Sequence, residues 1–264
     1  MPIENTPLSR SLSIQIRIIK ALIMREIITR YGRNNIGFLW LFFEPMLFTI
    51  GVTTLWFLLK ATHGSSLPIT AFAVTGYSSI LLWRNCSNRA VKAIEANHSL
   101  MYHRNVKVLD VLLARIILEV CGATISIITL TLIFSFFDWM HLPSDIITAM
   151  IGWILLIWFA TALSLIVGAA SERSELIERV WHILTYLMFP LSGAAFLVGW
   201  LPKVAREYML LVPMVHGTEM LRHGYFGDSI RTYEDPVYLV LFNTVLTLIG
   251  LALVKEAGRR VEPE

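Results

Sequence analysis

Six apolar runs constrain this chain more than any other feature. They cover residues 36–59, 67–83, 108–137, 146–170, 180–200 and 236–254. At ~1.5 Å of rise per residue, about 20 apolar residues carry a helix across roughly 30 Å of hydrocarbon. Most of the runs approach or exceed that length, so the chain reads as an all-α membrane protein with six transmembrane helices. The composition agrees: 56% of residues are hydrophobic and 16% charged, with mean hydropathy +0.64, whereas soluble domains carry about 25% charge. No linker is long enough to divide the 264 residues, so a single transmembrane domain over 1–264 is expected.

Charge sets the orientation. Residues before the first run carry six Lys/Arg, 84–107 five, 171–179 two and the tail three, sixteen in all. The alternate segments carry five: Lys60, Lys203, Arg206, Arg222 and Arg231. Basic residues favour the cytosolic side, which places both termini there. The net charge of +3 is small and divided among loops, which argues against a nucleic-acid partner. Cys86 and Cys121 form no disulfide framework or zinc-type spacing. The chain has neither a GxxxxGK[ST] nor a GxGxxG loop, so it holds no nucleotide through those motifs.

Two polar segments exceed what a connection requires. Ahead of the first run, "MREIITRYGRNN" (24–35) sits in a segment where Ile16, Ile19, Ile23, Ile27 and Tyr31 recur at three- and four-residue steps. A helix over 1–35 would gather them roughly on one side, with Glu26 and Arg30 as an i,i+4 pair. Such a helix either lies in the headgroup layer with its arginines on anionic lipid, or faces lipid on one side and a cytosolic protein on the other. Residues 84–107 present the same choice. "NRAVKAIEANHSL" reads as a short mixed-charge helix, either a docking surface or a solvated loop.

A few residues stand out within the runs. Glu44, beside Pro45, lies about 8 residues into the first run, roughly 12 Å deep. A carboxylate there faces a partner or water. Arg115 and Glu119 are spaced i,i+4, with Asp110 before them, and read as ion pairs on a stalk near the headgroups. The fifth run is broken by Pro190 and by Ser192, Gly193 and Ala194. A re-entrant pair of helices, 191–201 and 204–223, is expected in its place. His216, Glu219 and Arg222 would share one face, a polar cluster for gating or structure rather than catalysis. His98 and His103 are too far apart on a helix to share a metal. Trp40, Phe43, Trp56 and Tyr77 either belong to aromatic belts or offer stacking faces to a sugar.

"ALIMREIITRYGRNNIGFLWLFFEP" and "WRNCSNRAVKAIEANHSLMYHRNVKVLDVLLARIILEV" resemble the membrane subunit of the capsule polysaccharide ABC exporters of Gram-negative bacteria. These exporters belong to the wider ABC-2 permease family. The likeness runs end to end and includes P-x-V-H-x-x-E-x-x-R at 213–222, preceded here by Val212 where many relatives have Asn. The resemblance implies a permease in the bacterial inner membrane that exports polysaccharide as a homodimer with two separate ATP-binding subunits. ATP and Mg would be bound by those subunits, and this chain would carry no cofactor. It would be no enzyme itself. Residues 24–31, with Arg25, Glu26 and Arg30, would form an interface helix. Residues 89–98, with Arg89, Lys92, Glu95 and His98, would form a coupling helix. Residues 190–230, with Pro190, Gly193, His216, Glu219 and Arg222, would gate the periplasmic mouth. Trp40, Phe43, Glu44, Trp56 and Tyr77 would line the sugar path or the dimer interface. A periplasmic co-polymerase-type adaptor, an outer-membrane export protein and membrane lipid complete the expected partners. An O-antigen or other glycolipid exporter is the neighbouring alternative, and an intramembrane glycan or lipid transferase the alternative of a different class.

Overall fold

The computed structural model describes residues 8–32, 39–59, 67–101 and 106–261. The first three residues of run 36–59, Lys60, His103 and the Tyr31 side chain lie outside that description. The described residues hold ten α-helices and no strand. In order they are α1 Leu8–Tyr31, α2 Trp40–Leu58, α3 Ile69–Ala90, α4 His98–Met101 and α5 Val108–Phe136, followed by α6 Ile146–Ser171, α7 Glu175–Met188, α8 Lys203–Met209, α9 Pro213–Phe226 and α10 Pro236–Val261. Their starts have local causes. Asp145 accepts from the N–H groups of Ile147 and Thr148 to cap α6, and Ser174 accepts from Leu176 to cap α7. Asp110 Oδ2 accepts from Lys107 N at 2.9 Å at the head of α5. Pro213 opens α9, where its missing donor is no loss.

Among the described residues, four helices are long and apolar enough to cross a membrane: α2, α5, α6 and α10. The run 67–83 is not such a helix by itself. It belongs to α3, which continues to Ala90 and is buried along nearly its whole length. Neighbouring helices surround α3, so it carries Thr75, Ser79 and Ser87, whose hydroxyls donate to the carbonyls four residues back. The run 180–200 is not one helix either. It splits into α7, an irregular segment after Phe189, and a single 3₁₀ turn, Val198–Trp200. Pro190 explains the break. The expected helices 191–201 and 204–223 are corrected accordingly. The first is largely irregular, and the second divides into α8 and α9 because Val212, just before Pro213, is extended.

α6 is the axis of the packing, contacted along its length by α3, α9 and α10. Leu156, Phe159 and Ala160 of α6 close a core with Ile80, Trp83, Met214 and Leu221. α9 is buried almost from end to end in the chain's own interior. At the other extreme, α2 exposes Trp40, Phe43, Leu47, Phe48 and Leu55, and α7 buries only Thr185.

Candidate functional site

At the end of the bundle where α1, α3 and α5 meet, ion pairs tie four helices together. Arg30 Nε pairs with Glu26 Oε1 at 2.9 Å, and its Nη1 donates to Glu119 Oε1. Arg115 Nε lies 3.0 Å from the same Glu26 oxygen, and Arg115 Nη1 donates to the Arg89 carbonyl at 3.0 Å. Arg89 lies 3.7 Å from Glu119 and 4.0 Å from Glu44. Burial works against the charge of Arg30, but Glu119 and Glu26 outweigh it and hold the guanidinium above its ordinary pKa. The cluster borders a cleft of about 340 Å³ lined by Arg25, Arg30, Asn88, Arg89 and Arg115.

This geometry bears on three expectations. Arg115 and Glu119 do not pair with each other, because Glu26 and Arg30 of α1 dock between them and supply nearer partners. Glu44, near the start of the described part of α2, is half-exposed and lies within reach of Arg89 at the last turn of α3. Of the stripe on α1, Ile19, Ile23 and Ile27 are partly buried and Ile16 is exposed. Leu22 is buried, with Ile18 and Ile23 packed beside it on the core that includes Val111, Leu112 and Ala114, while Ile16 is 46% exposed. Gln15 donates to Asp110 on the same side.

Residues 89–98 do not form one helix. Arg89 lies in the last turn of α3, and Lys92 turns the chain with φ 55°. A 3₁₀ turn, Glu95–Asn97, then leads into α4. The turn is pinned from inside. Ala93 and Ile94 are buried, and Asn97 donates to the Ala93 carbonyl at 2.8 Å while accepting from Arg25. Lys92, Glu95 and His98 face outward. Lys92 also reaches Glu178 of α7 at 3.1 Å, which raises the Lys92 pKa.

On α9, the spacing expected to align His216, Glu219 and Arg222 does so, and each side chain holds backbone groups outside α9. His216 Nδ1 accepts from Asp235 N at 2.9 Å, so Nε2 carries the proton and donates to the Leu210 carbonyl at 2.8 Å. Glu219 accepts from Val198 N at 3.2 Å and Tyr233 N at 3.4 Å. Fully buried Arg222 donates to the carbonyls of Gly193 at 2.6 Å, Phe196 at 2.7 Å, Phe72 at 3.4 Å and Ala194. Its Cζ lies 3.8 Å from the Phe72 ring centroid. Gly193 can present its carbonyl there because it adopts φ 78°, a left-handed conformation that a Cβ disfavours. Pro190 itself is exposed and marks the turn out of α7.

Trp56 and Tyr77 meet edge to face at 5.5 Å. Trp56 also stacks on Phe72 at 5.9 Å, and Phe72 on Trp200 at 5.2 Å. Phe48 and Phe189 flank Tyr77 at 6.1 and 5.7 Å. Trp40 and Phe43 stand at the other end of α2, exposed. Sequence reasoning did not single out Phe72, although it joins the aromatic series to Arg222. Nothing local distinguishes it among 14 phenylalanines.

Comparison with known proteins places these features in a wider group. A family model described as ABC-2 type transporter matches residues 17–226. The chain is 50% identical over 262 residues to the capsule polysaccharide export inner-membrane protein CtrC of Neisseria meningitidis serogroup B, covering 99% of each chain. It is 47% identical over 261 residues to the capsule polysaccharide export inner-membrane protein BexB of Haemophilus influenzae, covering 99% of this chain and 98% of that one. Identity to the polysialic acid transport protein KpsM of Escherichia coli is 28% over 241 residues, or 90% of this chain and 92% of that one.

Proposed function

This chain belongs to the ABC-2 type transporter family, and on that premise we propose that it is the inner-membrane permease through which capsular polysaccharide leaves the cytoplasm. The carrying observation is 50% identity, over 99% of both chains, to a protein named for that export step. Energy comes from ATP and Mg bound by a separate ATP-binding subunit, present in two copies against a homodimer of this chain. A periplasmic adaptor and an outer-membrane export protein continue the route.

α3 and α7 complete six crossings. α3, with 22 residues, extends about 33 Å. α7 extends only about 21 Å with its 14 residues, and the irregular backbone after Phe189 makes up the remaining depth. Such backbone is tolerated in a membrane where protein buries it, and the contacts of Arg222 and Glu219 support that reading. Those contacts also make the 190–230 region a unit that moves as a block, because opening it loop by loop would strand buried polar groups. The excess of basic residues on the segments shared with the termini supports a cytoplasmic placement for both ends. The exposed face of α2, with Trp40, Phe43 and Glu44, and the Trp56–Tyr77 pair form one wall of the sugar path.

The ATP-binding subunit docks on Arg25, Lys92, Glu95 and His98, which face outward, while Glu26, Arg30 and Arg89 link that surface to the spans. Reversing Glu95 and His98 together (Glu95→Lys, His98→Glu) should lower polysaccharide-linked ATP turnover roughly fivefold, a modest coupling energy. The assembled permease should remain folded in detergent. Normal turnover in that double variant would move the docking surface elsewhere. The function itself is tested by deletion and complementation. Cells lacking the chain should accumulate polysaccharide inside and lose it from their surface, and the intact gene should restore export. Unchanged surface polysaccharide in the deletion would overturn the assignment.

A further inference from the structure

Arg89 stands between two carboxylates that belong to different helices. Its Nε is 3.7 Å from Glu119 Oε1 on α5, and its Nη2 is 4.0 Å from Glu44 Oε2 on α2. Neither distance is that of a settled arginine–carboxylate pair, which closes to about 2.7–2.9 Å. The two acids differ in commitment. The Glu119 side chain is 8% exposed and already holds Arg30, whereas that of Glu44 is 54% exposed. Arg89 is itself 45% exposed, so its head can turn without leaving a dry charge behind. Its backbone is anchored, because the Arg89 carbonyl accepts from Arg115.

The position matters because it adjoins the turn. Three residues later Lys92 turns the chain with φ 55°, and the exposed residues Glu95 and His98 come next. Displacing that turn acts on the last residues of α3. α2 is loosely held, with much of its apolar surface uncovered. A guanidinium drawn to Glu44 ties α2 to α3, and one drawn to Glu119 releases α2 and ties α3 to α5.

We propose that Arg89 is a two-position positioning residue: it exchanges between Glu119 and Glu44, and this exchange links the turn at residues 91–97 to the spacing of α2 from α3. The inference rests on the permease reading for its role in export, but the exchange itself can be measured without export. Spin labels at Leu47→Cys on α2 and Ser99→Cys on α4, both exposed positions, report the spacing in the full-length chain. Exposed Cys121 is replaced by Ser, and Cys86 is buried. Glu119→Gln should shift the distance distribution toward the shorter α2–α3 spacing. Glu44→Gln should shift it toward the longer one, and Arg89→Gln should make it insensitive to either change. Opposite shifts from two neutralisations are not expected of a static brace. If Glu119→Gln does not fold, Glu119→Asp, which withdraws the carboxylate by one methylene, should shift the distribution in the same direction by less.

In the complex with its ATP-binding subunit, Glu119→Gln should keep ATP hydrolysis and lose about fivefold in polysaccharide exported per ATP. Shifts of the same sign, or none, in the folded variants would overturn the exchange. A wild-type chain that assembles with no ATP-binding subunit would instead overturn the permease reading, and the label distances would still decide the role of Arg89.

Discussion

Arg222→Met should remove most of the folded protein from the membrane. The wild-type guanidinium is wholly buried and satisfies the carbonyls of Gly193, Ala194, Phe196 and Phe72 while lying on the Phe72 ring. Methionine matches much of its volume and donates nothing. Each buried carbonyl left unpaired costs about 1–3 kcal/mol, so the three carbonyls of Gly193, Ala194 and Phe196 amount to several kcal/mol, while that of Phe72 keeps the Thr75 hydroxyl at 3.2 Å. A domain is stable by only about 5–15 kcal/mol. Arg222→Lys should fall between the two, since an ammonium keeps the charge but cannot spread donors across four acceptors as a planar fork does. Glu219→Gln should be milder still, because one acceptor for Val198 or Tyr233 remains. The ranking is checked by thermal unfolding in detergent and by the amount of intact chain in the membrane. An Arg222→Met protein as stable as wild type would mean that the 193–198 segment is held by something other than this side chain.

The same contacts show what spacing leaves open. Glu219 and Arg222, three residues apart, do share a face of α9, and the close partners of both are backbone groups from elsewhere in the chain. Spacing along a helix tells which side chains share a face and is silent about what that face meets. Arg115 and Glu119 teach the same lesson at the opposite end of the bundle, where helix arithmetic gave one pair and docking of α1 produced two others.

Legibility depended on the length scale of each signal. The apolar runs behind α2, α5, α6 and α10 span many residues, and no packing detail can disguise them. The break near Pro190 was legible because proline removes a donor and fixes φ. The extension of α3 to Ala90 was not legible, because residues such as Ser87 look solvent-facing until the rest of the chain is folded around them. The inward face of α1 was legible only in part. Isoleucine occurs at 14, 16, 18, 19, 23, 27 and 28, on every side of the helix, so the pattern could not single out Leu22. The aromatic series was half legible: Trp56 and Tyr77 do meet, but their separation in sequence gave no hint that Phe72 and Trp200 continue the stack.

Gly224→Ala should be among the most damaging single-methyl additions in the molecule. A Cβ at Gly224 would lie 2.2 Å from the Ala149 nitrogen and 2.7 Å from its Cα, and a Cβ at Gly152 would lie 2.7 Å from the Leu221 nitrogen. These are backbone atoms of packed helices and cannot swing aside as a side-chain end would. Small residues of this kind let helices approach closely in membranes, where apolar burial between helices gains little over lipid. The approach also brings Asp145 N within 2.8 Å of the Gly224 carbonyl and Ser144 N within 3.1 Å of the Tyr225 carbonyl. A methyl at 224 therefore pushes α9 off α6 and strains both bonds. Overpacking ordinarily costs about 1–3 kcal/mol, and an immovable neighbour puts this case at the upper end or beyond. At about 2–4 °C per kcal/mol for a chain of roughly this size, the unfolding midpoint should fall by roughly 6–12 °C. Gly258→Ala supplies the control: nothing lies within 4 Å of its added methyl, and a helical glycine replaced by alanine gains about 0.5–1 kcal/mol. That variant should hold its midpoint or raise it slightly under the same scan. Equal midpoints for Gly224→Ala and wild type would mean that α9 does not pack on α6 through this glycine. The loops bound by His216, Glu219 and Arg222 would then lack the rigid base from which they are held.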